Sequence, residues 1–432
     1  MNGSQRLERD LPFVLEDLYL GGMPDYRDDL VQRIAATRQR PVWTFPKRWL
    51  PMDITTQRLP MSGVPWRAVA LVAALALILA AAMAVYVGSQ RPTHLPADPF
   101  GLAANGVVVA TLDGDIVAID PVTHSTRTII GGPESDTDPV FSGDGARIAF
   151  RRTDDSGGQH LFVANADGSG VVDALQDPVV QLINWTFSPD GQRLLATADV
   201  DDRAALLVAR SDGSTPAQAL DIRLPTAAGD IEGSWFRPPD GNEILVLAGQ
   251  PDHWARGIYL VDVDGGTLRP IVEPSAPYDV FGATWSPNGE WISYGRYDGT
   301  VDGVSAEAWI VAADGSGDRR IDPAPTAADA PMAWSNDSTR LLIGRDPDGD
   351  ARIAVIGVDP TTPIIELDCR SAGIANCSGD WLWSPDDSTL LGRVPDGTGD
   401  RYVLADPDTG VVTETSWAAT GIPSWQRVAI PE

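Results

Sequence analysis

An aromatic residue followed by a short turn recurs seven times, and this repeat constrains the fold more than any other feature of the sequence. In the clearest copies the aromatic residue is followed by Ser-Pro-Asp-Gly or a close variant. Successive aromatic residues lie 46, 49, 49, 49, 49 and 42 positions apart. A period in the forties with short strands between turns is typical of a β-propeller. The seven aromatic residues are Phe141, Phe187, Phe236, Trp285, Trp334, Trp383 and Trp425.

Each repeat continues with short apolar runs that end in Asp-Gly or similar turns, which predicts strands joined by hairpins because Asp-Gly supplies the positive φ angles of tight turns. A weaker fourth run completes a four-stranded blade. Six repeats are whole, and residues 107–130 and 424–430 are left over. We predict that these two pieces share a seventh blade with the C-terminal strand innermost, which removes open sheet edges. The prediction is an all-β, seven-bladed propeller over residues 101–432, with six or eight blades as alternatives.

Residues 68–88 form an uncharged stretch of 21 residues, long enough to span the roughly 30 Å hydrocarbon core of a bilayer as a helix. The preceding flank carries Lys47, Arg48, Arg58 and Arg67, whereas the following flank carries Arg91. The positive-inside rule then places residues 1–67 in the cytoplasm and the propeller outside, joined by a linker over residues 89–100. This predicts a single-pass protein of a bacterial cytoplasmic membrane. The alternative is a buried Ala/Leu-rich helix in a soluble protein.

The segment before the span has apolar residues at helical spacing over residues 7–18 and again over residues 26–34. Two helices this short have little core to bury, so we expect the tail to dock on a cytoplasmic partner protein. Within the span, Ala76, Ala80 and Ala84 form a small-xxx-small series that favours a homodimer through the span. Alanine-rich spans also produce such series by chance.

The charge balance argues against a nucleic-acid partner, because a net charge of −28 repels the phosphate backbone. The four histidines have no metal-ligand spacing, and the Gly-x-Ser-x-Gly elbow of propeller-linked hydrolases is absent. We therefore predict a protein that is not an enzyme and holds no cofactor, with Ca²⁺ as the exception considered below. The alternative is a propeller hydrolase or lyase in which His160 or His253 meets carboxylates only in three dimensions.

Aspartates recur three to six residues before the core aromatic residue in five of the seven repeats. If the core strand is innermost, these side chains lie near one rim of the central channel. A ring of carboxylates there predicts binding of a cation such as Ca²⁺, or of a basic partner. The alternative is that Asp is simply favoured in loops that enter strands. The candidate residues are Asp136, Asp138, Asp230, Asp279, Asp329 and Asp380.

The two cysteines of the chain, Cys369 and Cys377, both lie in the part predicted to be outside the membrane. Cysteines eight positions apart in an exported domain are candidates for a disulfide that closes a small loop. Two unpaired buried thiols are the alternative.

The turn cores, especially residues 285–289 and 383–387, resemble the WD40-like repeats of TolB-type periplasmic propellers over residues 100–430. The Gly-His and Trp-Asp pairs of true WD40 blades are absent. The resemblance implies the propeller fold and, for function, a static envelope scaffold.

The layout of tail, span and outer domain is similar to that of membrane-bound anti-sigma factors, which implies a signalling protein with a sigma factor as the cytoplasmic partner and an outer ligand or protein as the signal. The tail departs from the zinc-containing members, because residues 1–67 hold no His or Cys.

Overall fold

The computed structural model describes residues 96–200, 203–223, 231–250, 253–298, 306–322, 329–345, 351–375, 377–395 and 399–430. In these ranges the strands form seven four-stranded sheets, which confirms the predicted seven-bladed, all-β propeller. The predicted helical tail (1–67) and membrane span (68–88) lie outside the described residues. Within those ranges, no helix has both the length and the apolar character needed to cross a membrane.

The chain begins the ring with three strands of one blade and then completes six blades in order. The first three strands are β1 (Ala104–Leu112), β2 (Asp115–Ile119) and β3 (Thr126–Ile130). Blade 1 contains β4 (Ser135–Phe141), β5 (Arg147–Thr153), β6 (Gln159–Asn165) and β7 (Val172–Asp173). Blade 2 contains β8 (Gln181–Phe187), β9 (Arg193–Val200), β10 (Arg203–Arg210) and β11 (Gln218–Ala219). A short strand β12 (Ile222–Arg223) follows and pairs in parallel with β16 (Gly266–Thr267).

Blade 3 contains β13 (Ile231–Phe236), β14 (Glu243–Gln250), β15 (His253–Asp262) and β17 (Arg269–Val272). Blade 4 contains β18 (Tyr278–Trp285), β19 (Trp291–Asp298), β20 (Ala306–Ala312) and β21 (Arg319–Arg320). Blade 5 contains β22 (Ala330–Trp334), β23 (Arg340–Arg345), β24 (Arg352–Gly357) and β25 (Ile365–Glu366). Blade 6 contains β26 (Asp380–Trp383), β27 (Leu390–Pro395), β28 (Asp400–Ala405) and β29 (Val412–Glu414), preceded by a 3₁₀ turn at Cys369–Ala372.

The last strand, β30 (Thr420–Val428), closes the ring by pairing antiparallel with β1, in the order β3-β2-β1-β30. It takes the place that the first strand holds in every other blade, so the N-terminal and C-terminal pieces share blade 7 as predicted. The seven repeated aromatic residues are buried at 5–8% exposure, one in each blade, where they pack between neighbouring sheets. The repeated aromatic residues therefore help to pack each blade against its neighbour.

The turn after each aromatic residue is held by a local hydrogen-bond cycle that explains the Ser-x-Asp order. In blade 5 the hydroxyl of Ser335 donates to Asp337 (2.6 Å) and accepts from the backbone N–H of Arg340 (2.9 Å), while Asp337 accepts from the N–H of Thr339 (2.9 Å). The same cycle recurs in blades 1, 2, 4 and 6. The motif thus stabilises the hairpin between the first and second strands of a blade.

Two turns depart from the Gly of the repeat, and both departures tie neighbouring blades together. Ser338 and Asp387 adopt φ of 62° and 59°, the left-handed region where other copies have Gly. The Ser338 hydroxyl accepts from the N–H of Asn288 in blade 4 (3.0 Å). The Asp387 carboxylate accepts from Asn336 (2.8 Å) and Asp337 (2.9 Å) in blade 5. The cost of an L-residue in this region is offset by hydrogen bonds between blades.

The hairpins between first and second strands all lie at one end of the propeller, which we call the turn face. The opposite end, the loop face, carries the start of each first strand and the connections between second and third strands. The described chain enters at the turn face, where the N–H of Ala97 donates to Asp144 (3.0 Å) and that of Ala103 to Pro385 (2.9 Å). Residues 96–103 therefore lie on the turn face.

We expect Asp337→Asn to keep the fold of its hairpin while removing part of its acid sensitivity. Burial raises the pKa of Asp337, but the hydrogen bonds from Ser335 and Thr339 outweigh it and hold that pKa below its ordinary value. A carboxyl whose pKa is lower in the folded than in the unfolded protein contributes stability above about pH 4. That contribution is lost as the pH falls through the pKa of the folded state. Asn288 already fills this place in blade 4, so the amide fits.

The measurement is urea unfolding of wild type and Asp337→Asn between pH 3 and pH 7. The difference between the two proteins should shrink as the pH falls below about 4. A difference that stays constant over this range would contradict the assignment of a lowered pKa.

Candidate functional site

Five of the six aspartates predicted to line a channel rim are described, and all five lie at the loop-face end of a first strand. Asp136 and Asp138 lie in β4, Asp279 in β18 and Asp380 in β26, while Asp329 directly precedes β22. Asp230 lies outside the described residues. In blades 1 to 5 a β-bulge interrupts the first strand before the core aromatic residue. Bulges re-aim side chains, so the rim end of each strand is set apart from the core end.

In blade 1 both rim carboxylates are paired with arginines of the adjacent strand β5. Asp136 is fully buried and accepts two bonds from Arg152, at 2.6 Å from Nε and 2.7 Å from Nη2. Asp138 forms an ion pair with Arg151. The Arg152 guanidinium also lies 4.6 Å from the ring centre of Phe162. A bidentate pair such as Asp136–Arg152 is rigid, so it fixes the Asp136 carboxylate.

In blade 5 one arginine neutralises several carboxylates at once. The side chain of Arg345 is 7% exposed, and its Nη2 lies 3.2 Å from Asp322, whose carboxylate is fully buried. Its Nε lies 3.7 Å from the equally buried Asp329, and its Nη1 donates to Glu366 at 3.0 Å. A buried carboxylate without a cation is costly, which makes Arg345 the centre of this network.

Asp279 joins two blades as well as two strands of its own blade. It accepts from Arg256 of blade 3, at 3.1 Å from Nε and 2.9 Å from Nη2, and from the hydroxyl of Tyr297 at 2.9 Å. Burial raises the pKa of Asp279, but the bonds from Arg256 and Tyr297 outweigh it and lower that pKa overall. Asp279 is therefore an ionised link between blades 3 and 4.

Asp380 follows the same pattern in blade 6, where Arg393 donates to it at 2.9 Å from Nε and 2.6 Å from Nη2. Arg393 also donates to Asp400 at 2.9 Å. All five described rim aspartates thus have an arginine partner. In the ranges that the structure covers, no three His, Cys, Asp or Glu side chains are grouped so that they could hold a metal ion. The described rim is a set of ion pairs, and the binding of a cation or a basic partner there stays a prediction.

His160 lies on the loop face between two carboxylates. Its Nδ1 is 2.8 Å from Asp173, its Nε2 is 3.5 Å from Asp154, and its side chain is 18% exposed. Hydrogen bonds from the Ser156 hydroxyl and the Gly158 N–H lower the pKa of Asp154 to about 2. A carboxylate that orients an imidazole is a unit of general acid–base chemistry, and it also closes turns in inert proteins. The side chain of His253 and all of His94 lie outside the description.

Arg296 differs from the other loop-face arginines described above. Its guanidinium carbon lies 4.2 Å from the ring centre of Tyr278 and 4.1 Å from that of Trp309. Its Nε is buried without a hydrogen-bond partner, and within the described part of the chain the guanidinium makes no hydrogen bond or ion pair. Blade 4 therefore presents a stacked cation that forms no ion pair with any described residue.

Cys369 and Cys377 are joined by a disulfide, with Cα atoms 5.6 Å apart. Both are buried against Trp381, whose Nε1 donates to the carbonyl of Cys377 at 3.0 Å. The bond closes the loop before β26 and borders a pocket of about 280 Å³ that Arg352 and Glu366 also line.

We expect the double variant Cys369→Ser/Cys377→Ser to lower the free energy of unfolding by about 2–3 kcal/mol. The disulfide restricts the unfolded chain, and for a loop this short the entropy that it removes from the unfolded state corresponds to that free energy. Urea unfolding of both proteins measures the difference, and reductant should destabilise only the wild type. Equal unfolding midpoints for the two proteins would contradict a stabilising disulfide.

No protein-family model matches the chain. A stretch of 99 residues is 32% identical to the Tol-Pal system protein TolB of Anaeromyxobacter dehalogenans (strain 2CP-C), covering 22% of this chain and 20% of that protein. The chain thus spans about a fifth of the length of this curated relative. The described part of the chain is a β-propeller, and 99 residues of the chain are similar to TolB.

Solved structures support the fold of this TolB-like propeller. Oligogalacturonate lyase from Vibrio parahaemolyticus superimposes with a TM-score of 0.53 at 15% identity, covering 72% of this chain and 86% of that chain. The β-propeller domain of the Trilobed protease from Pyrococcus furiosus gives a TM-score of 0.51 at 15% identity, covering 74% and 99%. That domain has an open velcro topology. Here β30 closes the ring, so the two propellers differ in closure.

The sequence pattern predicted aspartates near one rim of the channel, but the arginines that pair with them were not predicted. Four of these arginines lie near the ends of second strands, 10 or 11 residues after the core aromatic residue. They are Arg151, Arg152, Arg345 and Arg393. That recurrence was a visible signal. Arg256 gave no such signal because it reaches Asp279 from a third strand of the preceding blade.

Proposed function

We propose that the chain is a single-pass protein of a bacterial cytoplasmic membrane whose TolB-like propeller binds another protein outside that membrane. The observation that carries the proposal is the state of the rim: the five described rim carboxylates are held by arginines, which suits a rigid platform better than a metal-dependent active site. The span over residues 68–88 supplies the anchor, and TolB, a Tol-Pal system protein, supplies the analogy.

The loop face is the docking surface in this proposal. Four apolar side chains on it are well exposed: Val180 at 72%, Ile183 at 48%, Val200 at 37% and Tyr278 at 36%. Exposed apolar groups among polar ones are typical of protein-binding surfaces. The turn face is engaged by residues 96–103 of the chain itself.

Photo-crosslinking in living cells tests this proposal. A benzophenone amino acid replaces Tyr278 on the loop face or, as the control, Val122, which is 87% exposed between β2 and β3 of blade 7. We expect a discrete protein adduct from position 278 and none from position 122. Adducts of equal yield at both positions, or none at position 278, would contradict a loop-face partner.

The proposed cytoplasmic role of residues 1–67 is contact with a regulatory protein, with a sigma factor as the specific candidate because the layout is similar to that of membrane-bound anti-sigma factors. A benzophenone at Leu15 of the full-length chain tests it. We expect an adduct that mass spectrometry identifies as a sigma factor. If replacing residues 1–60 with an unrelated anchor leaves every phenotype of the protein intact, the static scaffold replaces the signalling proposal.

The His160 pair favours an enzyme as the second candidate function, and the fold likeness to a lyase selects the substrate class to try. The full-length protein is incubated with oligogalacturonate, and unsaturated product is followed by ultraviolet absorbance. Turnover that is lost in His160→Ala would establish the enzyme. No product from the wild type would remove this candidate.

A further inference from the structure

Trp309, one of the two rings around Arg296, is fixed before any ligand arrives. Glu307 accepts from the indole N–H of Trp309 at 3.0 Å and is itself held by Arg320 at 3.0 Å. Trp309 also stacks on Tyr294, whose hydroxyl donates to Asp318 at 2.6 Å. A cation stacked on a fixed ring loses less conformational entropy on binding, so the Trp309 side of the site is preorganised.

An arginine that forms no ion pair with any described residue is unusual in this chain, which has 60 acidic and 32 basic residues. Glu307 lies directly opposite Arg296 in the β19–β20 register, yet its carboxylate is taken by Trp309 and Arg320. The fork of a guanidinium matches a carboxylate with two parallel hydrogen bonds. The Nε of Arg296 is buried, so an incoming carboxylate would bind the two terminal Nη groups of this half-buried guanidinium.

We propose that Arg296, between Tyr278 and Trp309, is a binding site for an aspartate or glutamate carboxylate of the partner protein on the loop face. This rests on the proposed function and names the group that the platform recognises. Arg, Tyr and Trp are the residues that dominate binding energy at protein interfaces. The site binds the carboxylate through the guanidinium and packs the aliphatic part of the acidic side chain on the exposed ring of Tyr278.

A protein carboxylate fits the surroundings better than that of an acidic sugar. The described neighbours of Arg296 are two aromatic rings, Val280 and Glu307. Val280 lies opposite Arg296 across β18 and β19 and is 3% exposed, and the carboxylate of Glu307 is held by Trp309 and Arg320. A sugar ring would need several convergent polar groups for its hydroxyls. An acidic side chain flanked by apolar residues needs only the guanidinium and the rings.

The test uses the full-length chain in lipid nanodiscs and a phage-displayed library of linear 12-residue peptides. Selected peptides are synthesised in matched pairs in which each Asp or Glu is replaced by Asn or Gln. Affinities are measured for wild type, Arg296→Gln and Arg296→Lys. The control is Arg127→Gln, which removes the same charge from an exposed position in β3. Unfolding curves establish that each variant is folded.

We expect one acidic residue of the peptide to be essential, with about a tenfold or greater loss of affinity on its neutralisation and a similar loss in Arg296→Gln. The two losses should not add, Arg296→Lys should retain part of the affinity, and Arg127→Gln should change nothing. Peptides that bind equally well to Arg296→Gln would overturn this site while leaving the platform function standing. Arg296-dependent binding of oligogalacturonate without any peptide binding would overturn the protein carboxylate as occupant. A library that yields no binder would count against both the site and the platform.

Discussion

Removal of residues 420–432 is expected to abolish the cooperative unfolding transition of the propeller. This deletion takes away β30, the strand that pairs with β1 and buries Trp425. It also removes bonds to both neighbouring blades, since Ser424 accepts from the N–H of Phe141 (3.0 Å) and Gly421 accepts from the hydroxyl of Tyr402 (2.6 Å). Without them, blades 1 and 6 lose their common neighbour and β1 becomes an open edge.

Urea unfolding followed by tryptophan fluorescence, together with limited proteolysis, checks this result. The control truncation ends after Val428, the last residue of β30, and should unfold like the full chain. The point variant Trp425→Ala should retain the ring but lose about 3–5 kcal/mol, the usual cost of truncating a buried Trp. A sharp transition at the wild-type midpoint in the 420–432 deletion would refute closure by β30 as the source of cooperativity.

Arg345→Met is expected to lower the free energy of unfolding by about 3–5 kcal/mol, because it removes the described cation from two buried carboxylates. Asp322 and Asp329 have no exposed side-chain surface and lie 3.2 Å and 3.7 Å from the guanidinium of Arg345. Methionine fills similar volume, so the loss would report charge rather than a cavity. The same urea titration at pH 7 measures it.

The matched control for this network is Arg401→Met, which removes a more exposed ion pair with Glu414 at 2.7 Å. Pairs of that kind contribute about 0–1 kcal/mol, so this variant should remain close to wild type. Equal losses in Arg345→Met and Arg401→Met would show that the rim is not held by buried ion pairs. The carboxylates would then be available for the cation or basic partner that the sequence suggested.

The fold was predictable because its signals are local. Phe141, Trp285 and their counterparts recur at a nearly constant period, and the turn that follows them is built from hydrogen bonds within six residues. Closure of the ring was predictable too, because the two incomplete pieces of the repeat, at the N-terminal and C-terminal ends of the propeller, together make one blade. The sequence did not predict the hydrogen bonds between blades that Ser338 and Asp387 make in place of Gly, because their partners lie about 50 residues away in the preceding blade.

The candidate site was only partly predictable, for the same physical reason. The position of Asp279 relative to Trp285 is visible in the sequence, but its pairing with Arg256 depends on how blade 3 packs against blade 4. Arg296 reads as an ordinary strand residue beside Tyr297. The guanidinium of Arg296 stacks between two rings and forms no ion pair with a described residue. This arrangement depends on three strands together, β18, β19 and β20.

The central claim is that the propeller lies outside the cytoplasmic membrane, where it can meet a partner. Both native cysteines are in the disulfide, so a new cysteine is the one free thiol. The direct measurement is labelling of intact cells with a membrane-impermeant maleimide. Ser214→Cys places the thiol in an exposed turn of blade 2, and Ser4→Cys places it in the predicted cytoplasmic tail. We predict that Ser214→Cys is labelled in intact cells and Ser4→Cys only after lysis. Labelling of Ser4→Cys but not Ser214→Cys in intact cells would contradict the account.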